Sequence, residues 1–257
     1  MTFKLYKVLF KQSLKETFMY KTTTILTVVF GVLFYIIDII AGVVYFSFSK
    51  DIYGWKIIDY LNLITTANLI TYGYQFLFVA SHENLADEII SGNLDQFLIK
   101  PVNSFIFYIT YRVDFSAMIN FLITTVIECF ILKSIKVKLS DLLVYFIYVI
   151  LGIIFLFAIN QIATTLTFWF PNLTAVQGIP EYLTEIGAKP AQIYPKIIQA
   201  IFSLAFPILL VTNVPVCNCS SQIKIIAGLW VLFMDIFLLS IAYIEWMLGL
   251  KRYESAN

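Results

Sequence analysis

Charge is what this chain has least of. Only 13% of its 257 residues are Asp, Glu, Lys or Arg, against roughly 25% in soluble domains, while 60% are hydrophobic. A soluble helical domain of this length needs a polar face on most of its helices, and that class is excluded. The net charge of +1 comes without a basic cluster, which excludes nucleic acid as a partner. There is one histidine, His82, and there are three cysteines. Cys129 sits in an apolar stretch as a small hydrophobe. Cys217 and Cys219 lie one residue apart, too close for a Cys-x-x-Cys pair. No zinc or thioredoxin-type site and no disulfide framework is expected. A Gly-x-x-x-x-Gly-Lys-Ser/Thr run is missing throughout, so nothing here cradles a nucleotide phosphate in the P-loop manner. No small-residue cleavage site follows the early lysines, so the first residues do not form a cleavable signal. Solenoid-period repeats and low-complexity tracts are also lacking.

What is present is a series of long apolar runs. Residues 23–48, 58–80, 105–132, 139–168 and 223–248 each reach the roughly 20 residues that a spanning helix needs. Between the last two lies an ambiguous region, 172–216. Its first part, Pro171 to Pro195, is weakly apolar and broken by Gly178, Pro180, Gly187 and Pro190. Its second part, Lys196 to Val216, is strongly apolar but interrupted by Pro207 and Pro215. Broken helices at membrane depth require cover from protein or a water-filled cavity. Either the second part is a simple fifth span, or 172–190 crosses and 191–216 forms a re-entrant hairpin. The fold class is an all-α polytopic membrane protein forming a single transmembrane domain over 1–257.

Residues 1–22 carry Phe3, Tyr6, Phe10, Leu14 and Phe18 on one helical stripe and Lys4, Lys7, Lys11 and Lys15 on another. Such a helix lies in the membrane interface with its lysines toward anionic headgroups, or serves only as a positive topological anchor. With the N-terminus inside, the early lysines, Lys100, Arg112, Lys251 and Arg252 are cytoplasmic. Lys50, Lys56, Lys133, Lys136, Lys138 and Lys224 are then outside. The inside excess predicts cytoplasmic N- and C-termini and puts 81–103 in the cytosol.

That segment is the most patterned polar interruption in the chain. Ser81 is suited to cap a helix with Glu83 and Asn84 in its first turn, where an acid is favourable. Leu85 and Ile89 share one face. Gly92 ends that helix, Asn93 caps a second short turn and Pro101 limits it. The outcome is two short amphipathic helices, either docking a partner or lying in the interface without one.

The run Glu88-Ile-Ile-Ser-Gly-Asn-Leu-Asp-Gln-Phe-Leu-Ile-Lys-Pro-Val-Asn103 resembles a recurrent stretch of ABC type-two export permeases. It combines an acid, then Gly-x-Leu-Asp, then an apolar run and a basic residue before Pro, after the second span. Pro190-Ala-Gln-Ile-Tyr-Pro195 before a proline-broken apolar stretch and the terminal Gly249-Leu-Lys-Arg-Tyr253 agree. Together they are similar to the six-span branch of that family over most of the chain. The resemblance implies six spans, with 172–216 as the fifth span plus re-entrant helices near the outer face. It implies a cytoplasmic coupling element after the second span, carried here by Glu83, Leu85, Ile89, Ser91, Gly92, Asn93, Leu94, Asp95, Lys100 and Pro101. It also implies a transport subunit rather than an enzyme, paired with a separate ABC-type ATPase and a second permease, identical or similar. Cofactors are then absent from this chain, with ATP and magnesium on the ATPase. The expected location is a bacterial plasma membrane, among whose lipids the chain sits.

Charges inside spans usually face protein or water. Asp38, Glu128 and Asp235 are the deepest. With the polar stripe of Asn160, Gln161, Thr164 and Thr165 they are candidates to line a translocation path, or else they join helices by hydrogen bonds. Arg112 and Asp114 could pair, although residues two apart on a helix do not face each other. The aromatic share of 17% fits an interfacial belt. His82 lacks a catalytic set and is expected at a solvated helix start. Asn172 and Asn218 head glycosylation sequons, which matter only in a secretory eukaryotic setting. Two other functions remain: a membrane-embedded enzyme on lipid-linked substrates, and a membrane anchor or immunity-type binding protein.

Overall fold

In a computed structural model of the chain, the residues described are 3–48, 51–170, 178–217 and 219–253. Both sequon asparagines, Asn172 and Asn218, and the start of the 172–216 region lie outside them. Five helical stretches are long and apolar enough to cross a membrane. They are α2 (Lys21–Phe48), Ile57–Ile90, α7 (Phe115–Ile135), Leu139–Phe168, which contains α8 (Leu139–Thr165), and α12 (Ser221–Arg252). A sixth is available if the bent pair Lys196–Ala205 and Ile208–Val216 counts as one. The all-α polytopic class therefore holds.

The N-terminal helix α1 (Phe3–Met19) runs into α2 with only Tyr20 between them, bridged by the Tyr20 N–H to Glu16 O bond. It packs against the start of α7. Phe10 meets Phe115 edge-on at 4.9 Å, and Ser13 Oγ accepts the Val113 N–H. Lys7, Lys11 and Lys15 stay exposed.

The second crossing stretch does not stop where its hydropathy does. Helix α3 (Ile57–Tyr74) passes through a π-helical turn, Gln75–Val79, straight into α4 (Ala80–Ile90). Ser81 therefore lies inside a continuous helix and caps nothing. A widened turn releases carbonyls from the regular ladder, and here the Phe76 oxygen accepts the Asp114 N–H from another segment at 3.0 Å. The third apolar run is divided instead. A short helix α6 (Ser104–Thr110) ends before Tyr111, and α7 starts afresh at Phe115. The cause is Asp114, whose carboxylate accepts the Ser116 and Ala117 N–H groups as an N-cap. Arg112 does not pair with Asp114. It reaches Glu16 of α1 at 2.8 Å. Burial opposes the Arg112 charge, but the Glu16 carboxylate outweighs it and raises the guanidinium pKa.

Burial separates the crossing helices. Over half of the apolar window of Ile57–Ile90 (56%) is buried, and 50% of Leu139–Phe168, against 11% for α2 and 22% for α12. The two former stretches are the core, while α2 and α12 present broad apolar faces outward.

Two tryptophans mark the ends of the bundle. At one end Trp246 is fully buried against Phe105, Tyr108 and Phe168. At the other, Trp55 donates to Gln192 Oε1 at 3.1 Å. Helices α8 and α12 run parallel, because the Tyr148 hydroxyl donates to the Lys224 carbonyl near their starts and Phe168 meets Trp246 edge-on near their ends. The chain must therefore return from the Trp246 end to the Trp55 end between them. Glu181 of α9 (Ile179–Gly187) bonds Gln75, and Gln192 reaches Trp55. With nine residues, α9 is only about 14 Å long, less than half of a ~30 Å hydrocarbon core. Helix α10 (Lys196–Ala200) then runs into a second π-turn, Ile201–Ala205, whose Leu204 carbonyl accepts the Trp230 indole N–H at 3.2 Å. At Pro207 the path turns by 97° into α11 (Ile208–Val216). The Asn213 side chain ties α11 back to Gly187 O, Lys189 O and Ala191 N.

The cysteine reading is corrected here. Cys217 and Cys219 are joined in a disulfide at the Trp55 end. A spacing of two residues gave no hint of a bridge.

Candidate functional site

Residues 81–111 are built from the inside outward. Helix α4 ends at Gly92, whose φ of +73° is a left-handed conformation that side chains with a Cβ rarely adopt. The short helix α5 (Asp95–Leu98) follows. Asn93 does not cap it, because its amide bonds Ser91 Oγ at 2.9 Å and α5 has no side-chain cap.

The element is fastened down by apolar anchors and by its neighbours. Leu85 and Leu94 are fully buried. Phe97 packs among Phe107, Tyr108 and Tyr111 at centroid distances of 4.8–5.9 Å. The Lys100 ammonium lies 4.4 Å above the Phe107 ring. Ser81 and Tyr108 exchange two bonds, Ser81 Oγ to Tyr108 O and Tyr108 OH to Ser81 O. Tyr111 donates to Glu88 at 2.7 Å, and Asp95 lies against Tyr253. Outward stand Glu83, Asp87, Ser91, Asn93, Gln96, Lys100 and Pro101, together with the apolar Ile90, Ile99 and Ile106. Ile99 is 82% exposed, unusual for isoleucine on a tightly packed element. Of the segment's residues singled out by the sequence, Leu85, Ile89 and Leu94 face inward to differing degrees, while Glu83, Ser91, Asn93, Lys100 and Pro101 form the surface.

His82 is not solvated. It is 2% exposed and lies at the centre of a polar network between α3–α4 and α8. The hydrogen bonds fix its tautomer. Thr165 Oγ1 gives its proton to the Gln161 carbonyl, so it can only accept from Gln161 Nε2. That turns Gln161 Oε1 toward His82 Nε2 at 3.0 Å and requires an N–H there. His82 Nδ1 is then the acceptor for the Tyr74 hydroxyl at 2.8 Å and the Asn160 amide at 3.0 Å. Asn160 and Gln161 are thus engaged in joining helices. The sequence held a signal for this, a helical polar stripe on α8 facing the only histidine, but nothing that fixed their register.

The three deep acids sit on three different helices. Asp38 on α2 is exposed on this single chain and faces Asn68. Glu128 on α7 is 2% exposed, and its carboxyl meets the Tyr145 side chain. Asp235 on α12 is 1% exposed and has no hydrogen-bond partner at either carboxyl oxygen. Helix α12 packs on α8 and α11, whereas α7 packs on α2 and α3. Glu128 and Asp235 are therefore on opposite sides of the core and do not form one cluster.

Against known proteins, the family model described as "ABC-2 family transporter protein" matches residues 19–257. No curated protein matches, and no solved structure does.

Proposed function

The chain belongs to the ABC-2 transporter family, and from that premise we propose that it is the permease half of an ATP-driven exporter whose energy comes from a separate ATPase chain. The coarse part of this reading, a multi-pass membrane permease subunit, follows from the family and from the five to six crossing helices. The observation that carries the finer part is the stretch 91–106. It combines a locked interior, Leu94 and Phe97, with an exposed apolar outer face, Ile99 and Ile106. A lever needs both properties: rigid seating in the bundle and a surface for another protein to grip. Closure of two ATPase subunits around ATP and magnesium would push on 91–103. Through α6 and its Trp246 contacts that push reaches α12, and through Glu88 and Ser81 it reaches α4. Rigid-body movement of these helices would switch the access of the path.

The Trp246 end is then cytoplasmic, with both termini inside. Lys251 and Arg252 end α12 there, and Arg112 and Lys100 lie nearby, as the Lys/Arg bias requires. The disulfide at the opposite end supports the same orientation, since such bonds persist on the oxidising side of a membrane. On this reading α9 with 188–192 carries the chain outward, and 196–216 dips into the membrane from the outer face and returns. The broad apolar faces of α2 and α12 are available to lipid and to the second permease that such an exporter needs. A bacterial plasma membrane is the proposed setting. Asp38, Glu128 and Asp235 stay candidates for the path, Asp235 because its buried carboxyl lacks a partner.

The test is co-purification of the tagged chain with the P-loop ATPase expressed beside it. Ile99→Asp and Ile106→Asp should insert normally and lose at least about nine-tenths of the bound ATPase. Full retention of the ATPase by both variants would sink the docking assignment.

A further inference from the structure

A cavity of about 620 Å³ opens at the Trp55 end, within the range of small-molecule sites. Its charged lining is Lys56, Lys136, Lys138 and Lys224 against Asp59 and Asp141. Four positive and two negative groups leave two positive charges over. Asp59 is already committed, accepting the Lys56 backbone N–H at 3.1 Å. Asp141 is 3.9 Å from the Lys224 ammonium, the outer limit of an ion pair, although the Lys224 side chain is only 12% exposed. Lys136 is held in a left-handed conformation, φ +56°, that ends α7. Lys138 begins α8 two residues later. The turn between these helices thus places both lysines on the cavity wall.

Beside the cavity the lining turns apolar. Leu132 and Val137 also line a second fissure of about 260 Å³, whose walls include Leu69, Leu142 and Phe146. Glu128 also lies on the fissure's wall, where its carboxyl meets the Tyr145 side chain. The two spaces together carry an excess of lysines in the cavity and are mainly apolar in the fissure, where Thr125, Glu128 and Lys133 are the polar members of the lining.

We propose that this double cavity binds an anionic amphiphile, with its charged headgroup among Lys136, Lys138 and Lys224 and its tail across Leu132 and Val137 in the fissure. The site is separate from the ATPase-facing surface, at the opposite end of the bundle, and its occupancy does not depend on ATP. On the orientation proposed above, these lysines face the side that the Lys/Arg bias disfavours, and a headgroup site offsets that cost.

Trp55 lines the cavity, so its fluorescence reports occupancy in the purified full chain in detergent, with Trp55→Phe as the control for the other tryptophans. Lysophosphatidic acid, lysophosphatidylcholine of the same tail and inorganic phosphate are titrated separately. Lysophosphatidic acid should bind at least about tenfold more tightly than the zwitterionic lipid, and phosphate at equal concentration should not displace it. Lys136→Gln and Lys138→Gln, both at exposed positions, should each weaken it about fivefold, the usual worth of one lysine near an anionic headgroup. Equal binding of the two lipids, or unchanged affinity in both lysine variants, overturns the proposal. Displacement by phosphate alone overturns it too, since a bare anion site needs no tail.

Discussion

The two ends of this bundle are closed in opposite ways. At the Trp246 end aromatic rings fill the space, and hydrogen bonds from Ser81, Tyr108, Tyr111 and Trp246 stitch short helices to long ones. At the Trp55 end lysines ring an open cavity, and the seal is a loop, a disulfide and one indole bond. The difference is one of rigidity against access. An end that must transmit force cannot yield, because packed interiors deform only in discrete steps. An end that admits a ligand must leave volume unfilled. The short polar segments of this chain look alike in composition, yet they perform these two different tasks.

The contrast can be tested in order of expected effect. Trp246→Ala empties the largest fully buried aromatic site of the rigid end and should cost about 3–5 kcal/mol, read as an earlier unfolding transition in detergent. Trp55→Ala should cost clearly less, and equal losses would erase the distinction. Next, His82→Ala leaves Gln161 Oε1 and the Tyr74 hydroxyl without their partner, each worth about 1–3 kcal/mol when buried. A thermal shift near zero would mean that the network does not join α4 to α8. Gly92→Val forces a β-branched residue into the left-handed region at a cost of roughly 1–3 kcal/mol. It should keep membrane insertion but lower ATP-driven transport more than ATP hydrolysis, and equal retention of both would show that the bend is not part of the lever. Smallest of all, Arg112→Lys removes the reach to Glu16 in a pair whose side chains are 38% and 30% exposed, worth at most about 1 kcal/mol. Thermal unfolding should barely move.

Hydropathy alone located α2, α8 and α12 well, because lipid-facing helices must be apolar whatever their neighbours are. It failed where protein, not lipid, surrounds the chain. By hydropathy the second run ends near Ala80, because Ser81, His82 and Glu83 are polar, yet two of those three are buried in the core. A polar residue packed against Tyr74 and Gln161 is indistinguishable in composition from one in water. The third run failed in the opposite direction. Tyr111 to Asp114 is a short interruption that an averaging window smooths over, although Asp114 before Phe115-Ser-Ala117 is a readable N-cap signal. In the 81–103 segment the glycine and the shared face of Leu85 and Ile89 could be read from the chain, since φ preference and helical spacing are local, whereas the burial of Leu94 could not. The aromatic clamp from Phe107, Tyr108 and Tyr111 could not, because it depends on where α6 lands. The cavity lysines were visible only as charges on the less favoured side.

The π-turn at Gln75–Val79 sets the phase of everything after it. A widened turn holds one residue more than an α-helical one, and one residue is about 100° of rotation. Ser81, His82 and Leu85 point inward because of that extra step. Tightening that turn into a regular α-helical one, with no residue removed, would leave the hydropathy profile unaltered, yet it would rotate the histidine by about 100° away from its partners and draw the Phe76 carbonyl back into the helical ladder, away from Asp114. In this helix the count of residues in one turn, more than their kind, decides which side chains meet the core.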